Sequence, residues 1–146
     1  MQRIVWCLAL TLLSTVSTNE DLDHQFSGCW HNQLSSFLNI VVHIDGGITG
    51  SYQSSVSETG LQANGSLCGY HQGPQHPTFG FVVKWTSPNT KDSISVWTGQ
   101  FFKGPEGEIL ETVWLFRSSV DKERNNWDAT KVGQDYFFRY VGTCPV

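Results

Sequence analysis

The chain has 146 residues, about one domain's worth, with 15% charged and 13% aromatic side chains and a formal charge of −4. Its 9 Phe, 6 Trp and 4 Tyr supply a large core, which excludes general disorder, and no basic run offers a nucleic-acid or anionic-membrane surface. With 14 Gly, 1 Met and few Ala, the composition disfavours a helical bundle and favours an all-β fold with many turns.

Residues 1–18, MQRIVWCLALTLLSTVST, have the layout of a secretory signal peptide. Arg3 is the positive end, Ile4 to Leu13 form an apolar run too short to span a bilayer, the small residues Ser14, Thr15, Ser17 and Thr18 follow, and cleavage is expected between Ser14 and Glu20. No later apolar run is long enough to cross a membrane, so the expected product is secreted, extracellular and soluble. Residues 19–27 are polar and acidic and read as a loose segment, residues 28–141 as the folded domain, and residues 142–146 as a tail. Cleavage leaves Cys29, Cys68 and Cys144. Three thiols cannot all pair within one chain, so either one intrachain bridge and a free thiol, or a link between chains, is expected. Asn64-Gly65-Ser66 is an N-glycosylation sequon.

Within the domain, short apolar runs alternate with turn signals. The expected strands are Gly28–Asn32, Phe37–Ile44, Ile48–Ser54, Gly65–Gly73, Thr78–Thr86, Ser93–Phe102, Ile109–Ser118 and Gly133–Val141. Gly46-Gly47, Pro88-Asn89 and Gly104-Pro105-Glu106-Gly107 mark turns, and Ser119 to Trp127 is polar enough for a short helical turn. Short links mean antiparallel neighbours. Eight of them suit an antiparallel up-and-down β-barrel, whose closure removes exposed edges. An immunoglobulin-like sandwich is the alternative, and the Cys–Trp–Cys framework that would support it is missing.

Period-two alternation assigns the interior. One face carries Trp30 and Asn32, then Ser93, Ser95, Trp97, Gly99 and Phe101, then Leu110, Thr112, Trp114, Phe116 and Ser118, and finally Gly133, Asp135, Phe137 and Arg139. A solid core would use Leu, Ile and Val. Trp residues alone can fill a barrel, but with inward hydroxyls and one carboxylate they read as the wall of a small-molecule pocket. Val113, Leu115, Tyr136, Phe138 and Tyr140 fall on the opposite face, and apolar residues on both faces imply that another subunit covers the outside.

Six segments, in order, resemble the avidin and streptavidin family, and the vertebrate-type avidins most closely. Gly28-Cys29-Trp30-His31-Asn32-Gln33-Leu34 resembles the G-x-W-x-N-x-L opening, Thr49-Gly50-Ser51-Tyr52 the TGxY segment, and Pro77 to Trp85 the PTFGFxVxW segment. Thr98-Gly99-Gln100, Trp114 to Val120 and Trp127 to Gly133 match in order and spacing, so that the likeness covers residues 28–140.

The resemblance implies a homotetramer that binds biotin inside each barrel, with biotin as ligand and no cofactor. Three donors to the ureido oxygen would be Asn32, Ser36 and Tyr52, acting as fixed dipoles on a polarised oxygen. Ser54 and Asp135 would accept the two ureido N–H groups; avidin has Asn at the latter position and streptavidin Asp. Trp85, Trp97, Trp114 and Phe116 would form an aromatic box, and Ser95 would approach the thioether sulfur. Thr59, Ser87 and Ser93 would hold the valerate carboxylate, Leu34 and Val56 would be apolar wall, and Trp127 would reach into a neighbouring subunit's pocket. Departures are Phe116 for a Leu of avidin, a loop between Trp85 and Trp97 three residues longer, Glu58 beside the carboxylate end, Phe101 where avidin has the second cysteine of its bridge, and Gln134 at an apolar subunit contact that Val113 and Val132 otherwise keep.

Other constellations are weaker. Cys68, His71 and His76 lack a fourth metal ligand, so no metal is expected. His24, His31 and His43 are scattered, and Arg117 and Arg139 read as polar contacts at the barrel ends. No Gly-x-Ser-x-Gly, P-loop or Ser/His/Asp arrangement stands out, and nothing places a nucleophile beside Asp135. The reading is therefore a secreted biotin-binding protein without catalysis. Its alternatives are a carrier of another small hydrophobic ligand and an enzyme using Asp135 as acid or base.

Overall fold

In the computed structural model, which describes residues 26–56, 60–73, 77–86 and 92–146, the chain runs up and down through consecutive antiparallel strands. Among the described residues these are β1 (Gly28–Asn32), β2 (Phe37–Val42), β3 (Gly47–Ser54), β4 (Ala63–Gln72), β5 (Thr78–Trp85), β6 (Ser93–Gly104), β7 (Gly107–Ser118) and β8 (Thr130–Arg139). Pairing of β1 with β8 closes the barrel, with Trp30 opposite Arg139 and Asn32 opposite Phe137. The expected eight-stranded up-and-down barrel is thus the observed fold. The signal peptide, most of the loose segment, Glu58, the Pro88-Asn89 turn, His24 and His76 lie outside the described residues.

Strand ends differ from expectation where turn chemistry or register intervenes. β2 stops at Val42, two residues before Ile44, because the chain turns on a left-handed Gly46 (φ 80°). There the Gly46 N–H donates to the His43 carbonyl at 2.9 Å and the His43 N–H to the Gly47 carbonyl at 2.8 Å. β6 and β7 run two residues further into their hairpin than expected, pairing Gly104 with Gly107 around Pro105-Glu106. β8 begins at Thr130 rather than Gly133, since Lys131 and Val132 pair with Phe116 and Leu115, and it ends at Arg139, leaving Val141 exposed. The polar stretch before it folds as a short 3-10 helix, Glu123–Ala129.

Alternation divides the interior by depth. At one end Trp30, Leu38, Ile40, Ile48, Leu67, Phe79, Phe101, Leu110 and Phe137 are buried together as a packed floor. Phe26, placed by sequence in the loose segment, belongs to this floor instead: it is buried against Phe79 with ring centroids 4.9 Å apart, and its carbonyl accepts the Trp30 indole N–H at 3.1 Å. Arg139 lies over the Trp30 ring at 3.9 Å and is ion-paired to Glu108 at 2.8 Å, so a cation–π contact and a salt bridge cap the floor. The opposite end holds the polar inward residues.

Cys29 is bridged to Cys144, fixing the tail to β1, and Cys68 is a free thiol exposed on the outer face of β4. Alternation sends Cys68 outward and His71 toward Phe26, so these two do not share a face. The outer faces are apolar as expected: Val82, Val96, Val113, Leu115, Val132, Tyr136 and Phe138 are all exposed. A groove of about 640 Å³ crosses the outside of β3 to β6, lined among others by Thr49, Cys68, Tyr70, Val82 and Val96. No helix among the described residues is long and apolar enough to cross a membrane.

The bridge closes a loop of 115 residues, long enough for its loss to matter. Cys144→Ser is expected to lower the unfolding free energy by roughly 2–4 kcal/mol in denaturant titration. Among the described cysteines, native thiol labelling of the parent is expected to mark Cys68 and neither Cys29 nor Cys144; labelling at either of the latter two would refute the pairing.

Candidate functional site

The open end of the barrel is where β1, β3, β5 and β7 finish and β2, β4, β6 and β8 begin. Its inward residues are unlike those of the floor. Asn32, Ser36, Tyr52, Ser54, Ser95, Thr112 and Asp135 are all buried, at most 9% exposed, among aromatic rings. Seven buried polar side chains at one end of a barrel each need a partner, and their partners determine which donors and acceptors remain for a ligand.

The β1–β2 turn positions two of them. Ser35 adopts a left-handed conformation (φ 61°), which is uncommon for a residue other than glycine. The turn brings the N–H groups of Leu34 and Ser36 onto Asn32 Oδ1 at 3.0 and 2.8 Å. With that oxygen occupied, the Asn32 amide can offer only its NH₂ group. Ser36 Oγ accepts the Ser55 N–H at 3.0 Å and lies beside the Tyr52 hydroxyl. Burial, and second to it the charge of Asp135, hold the Tyr52 phenol well above its ordinary pKa, so Tyr52 keeps its proton as a donor.

Ser54 has the opposite bias. Its hydroxyl donates to the Val56 carbonyl at 2.6 Å and accepts the Val56 N–H at 3.2 Å. The proton is spent, and what remains is acceptor capacity. Asp135, on β8, is the second acceptor. Trp97 Nε1–H donates to its Oδ2 at 3.2 Å and Gln33 Nε2–H to its Oδ1 at 3.3 Å, while Trp114 and Asn32 also face it. Burial pushes the carboxyl above the ordinary carboxylate value, and these four N–H partners act against that rise. Thr112 on β7 donates to the Asp135 carbonyl at 2.8 Å and holds the strand position.

Aromatic rings surround this cluster. Tyr52 stacks on Trp97 at 4.9 Å and meets Trp85 edge-on at 5.5 Å; Phe81 stacks on the other side of Trp97 at 5.5 Å. Trp85 Nε1–H donates to Ser95 Oγ at 2.8 Å. Trp114 lies flat over Gly133, where a Cβ would meet its ring at 2.3 Å, so this indole position requires glycine on β8. Phe116 is half-buried near the mouth, with Lys131 Nζ 5.9 Å from its ring centre, and Ser93 is half-buried at the start of β6.

The structure therefore gathers Asn32, Ser36, Tyr52, Ser54, Ser95, Trp85, Trp97, Trp114, Phe116 and Asp135 at one end, with Ser93 at its rim. Leu34 and Val56 sit in the mouth loops at 50% and 58% exposure. Thr59 and Ser87 lie outside the described residues. Trp127 is on the 3-10 helix at 88% exposure, turned away from its own barrel's core. Arg117 anchors that helix, donating to the Asn126 carbonyl at 3.1 Å and to Thr130 Oγ1 at 3.0 Å. Sequence reasoning missed Gln33, Thr112 and Phe81 as parts of the site. Thr112 was legible as an inward residue beside Asp135, whereas Gln33 lies in a turn, where alternation carries no information.

The arrangement presents preset donors and preset acceptors inside an aromatic enclosure. That suits a small planar polar group joined to an apolar body. The sequence of residues 20–140 matches the family model described as the avidin family. The chain is 38% identical over 139 residues to avidin-related protein 4/5 of Gallus gallus, covering 90% of this chain and 91% of that protein. It is also 38% identical over 119 residues to avidin of the same organism, covering 77% of this chain and 76% of avidin. Among solved structures it resembles xenavidin, with 45% identity, a TM-score of 0.71, and 79% and 97% of the two chains covered. It likewise resembles a chicken biotin binding protein, with 38% identity, a TM-score of 0.73, and 82% and 98% covered. With its closed eight-stranded barrel and these matches along nearly the whole folded chain, the protein belongs to the avidin family.

Proposed function

We propose that this protein is secreted, binds biotin tightly in the open end of its barrel, and sequesters the ligand without converting it. Membership of a family of non-enzymatic binders makes it a binding protein and not an enzyme. One observation carries the ligand assignment. The hydrogen bonds within the chain leave Asn32, Ser36 and Tyr52 as donors and Ser54 and Asp135 as acceptors. A ureido group has one acceptor oxygen and two N–H donors, which is the complement of that set. A carrier for purely apolar ligands has no use for a buried carboxylate that costs stability when ionised.

In this reading the ureido oxygen takes the three donors, the two N–H groups go to Ser54 and Asp135, and the apolar body packs against Trp85, Trp97, Trp114 and Phe116. Ser95 keeps its own O–H to offer toward the thioether, because its oxygen already accepts from Trp85. Ser93 stands at the rim for the valerate carboxylate, and Thr59 and Ser87, outside the described residues, are assigned to the same group by the resemblance. Enclosure strengthens each polar contact by excluding water. Asn64, in the sequon, is exposed on β4 and accessible for glycosylation.

Self-association follows from two exposed features. The outer strands present Val113, Leu115, Val132, Tyr136 and Phe138 to solvent, and Trp127 stands clear of its own chain. We assign the first to subunit contacts in a homotetramer and the second to a lid on a neighbour's pocket.

Asp135→Ala is expected to cost about 1.5–3 kcal/mol in biotin affinity by isothermal titration, the range for a hydrogen bond to a charged group. Unchanged affinity would remove Asp135 from the site. The pH dependence has a definite sign. A ureido N–H bonds the carboxylate and not the protonated acid. Affinity should therefore be flat at neutral pH and fall about tenfold per unit below the raised pKa of the free site, and Asp135→Asn should flatten that slope. Stability of the ligand-free protein moves the other way. The contribution of Asp135 is largest below the ordinary carboxylate pKa and declines as pH rises through the raised one.

If Trp127 caps a neighbour's pocket, ligand and assembly are linked. Trp127→Lys should weaken biotin binding and remove much of biotin's stabilisation of the tetramer, read by size-exclusion chromatography with light scattering with and without biotin. Equal affinity in the variant, or a monomeric parent that binds tightly, would refute the lid.

A further inference from the structure

Gln33 occupies no position in the ligand contacts assigned above, yet both ends of its amide are tied down, one to Asp135 and the other to the residue that follows it. Its Oε1 accepts the Tyr136 backbone N–H at 3.1 Å, and its Nε2 donates to Asp135 Oδ1 at 3.3 Å. The first bond fixes the second. A flipped amide would set N–H against N–H at Tyr136 and oxygen against oxygen at Asp135. The β8 backbone beside Asp135 thus holds a side chain from the β1–β2 turn so that it can only present a proton to the carboxylate.

We propose that Gln33 is a positioning residue which keeps Asp135 in its acceptor form and so sets the acid limit of biotin binding. The proposal rests on the assignment of biotin to this site. Asp135 is buried, and a proton on Oδ1 would face the Gln33 N–H, while one on Oδ2 would face the Trp97 indole N–H. With a donor on each oxygen, the acid form has no position free of a facing N–H. Of these donors Gln33 is the one whose side chain is exposed, at the rim, and whose loss leaves the aromatic enclosure intact. The groups facing Asp135 are Asn32 from β1, Tyr52 from β3, Trp97 from β6, Thr112 and Trp114 from β7, and Gln33 from the turn. Among the described ones Tyr52 alone is titratable, and its phenol keeps its proton across the range in which a carboxyl titrates.

The test uses the full chain with and without biotin. Carboxyl-carbon NMR follows the Asp135 titration in the free protein, and competition binding follows biotin affinity against pH. Gln33→Leu, which removes the donor at similar bulk, should raise the Asp135 midpoint by about half a unit or more. The acid fall in biotin affinity should begin correspondingly earlier, with a smaller change on the neutral plateau. Gln33→Glu should move both further in the same direction by adding a like charge. In an Asp135→Asn background neither Gln33 variant should alter the pH profile. An unmoved carboxyl midpoint in Gln33→Leu, or an affinity loss that is equal at all pH values, would overturn the proposal and leave Gln33 a structural residue. A parent protein that fails to bind biotin would overturn the functional assignment instead, because the carboxyl titration judges the Gln33–Asp135 coupling without ligand.

Discussion

A carboxylate buried to 4% exposure is the demand around which the open end of this barrel is organised. Burial alone drives Asp135 toward its neutral form. Only N–H groups aimed at both oxygens hold it back, and the chain brings them from three separate places: Trp97 on β6, Trp114 on β7, and Asn32 with Gln33 at the end of β1. None of these is a sequence neighbour of Asp135. They converge because β8 pairs with β7 on one side and with β1 on the other, so barrel closure is what makes the carboxylate tenable. An open sheet of the same strands would leave Asp135 without its β1 partners.

The same closure explains the division between floor and mouth. Inward positions on eight strands face a shared axis, so depth along the strand becomes depth in the barrel. The floor is a packed apolar core, sealed by Phe26 and capped by Arg139 over Trp30. Aromatic and aliphatic burial there supplies stability that the polar mouth does not. The mouth departs from good core chemistry in several ways at once, with hydroxyls, an amide, a carboxylate and a left-handed Ser35. Local departures of this kind, concentrated at one end of an otherwise consistent fold, are characteristic of a binding site.

Much of this was legible in the sequence, for a physical reason. Period-two alternation marks the inward face of the strands, so Trp30, Asn32, Ser95, Trp97, Thr112, Trp114 and Asp135 could be placed inward from parity alone. Strand order followed from short links. Strand ends did not, because they are decided across the ladder. Val132 belongs to β8 only because Leu115 is opposite, and Val42 ends β2 because Gly46 takes a left-handed turn. Residues in turns were likewise invisible to parity. Gln33 joins the site through a bond to the Tyr136 backbone 103 positions away, a relation no local pattern contains. Phe26 was hidden differently: its polar, acidic surroundings masked a side chain that plugs the floor. The resemblance to a known family named most of the residues gathered at the mouth, but it did not say which partner each polar atom already had.

A residue type does not determine whether a side chain donates or accepts; its existing bonds do. Ser36 and Ser54 are both buried serines at the same end of the barrel, and both bond backbone groups of the segment that follows β3. Ser36 accepts an N–H from Ser55 and keeps a proton to give; Ser54 gives its proton to Val56 and keeps a lone pair. Two identical side chains are thereby made complementary to opposite ends of one urea-like group before any ligand arrives. Asn32 and Gln33, adjacent amides, are both made donors: backbone N–H groups occupy the oxygen of each, and the NH₂ group of each faces Asp135. The polarity of the site is thus written in backbone hydrogen bonds of the mouth loops. In the proposed site those loops are as much a part of recognition as the side chains assigned to the ligand.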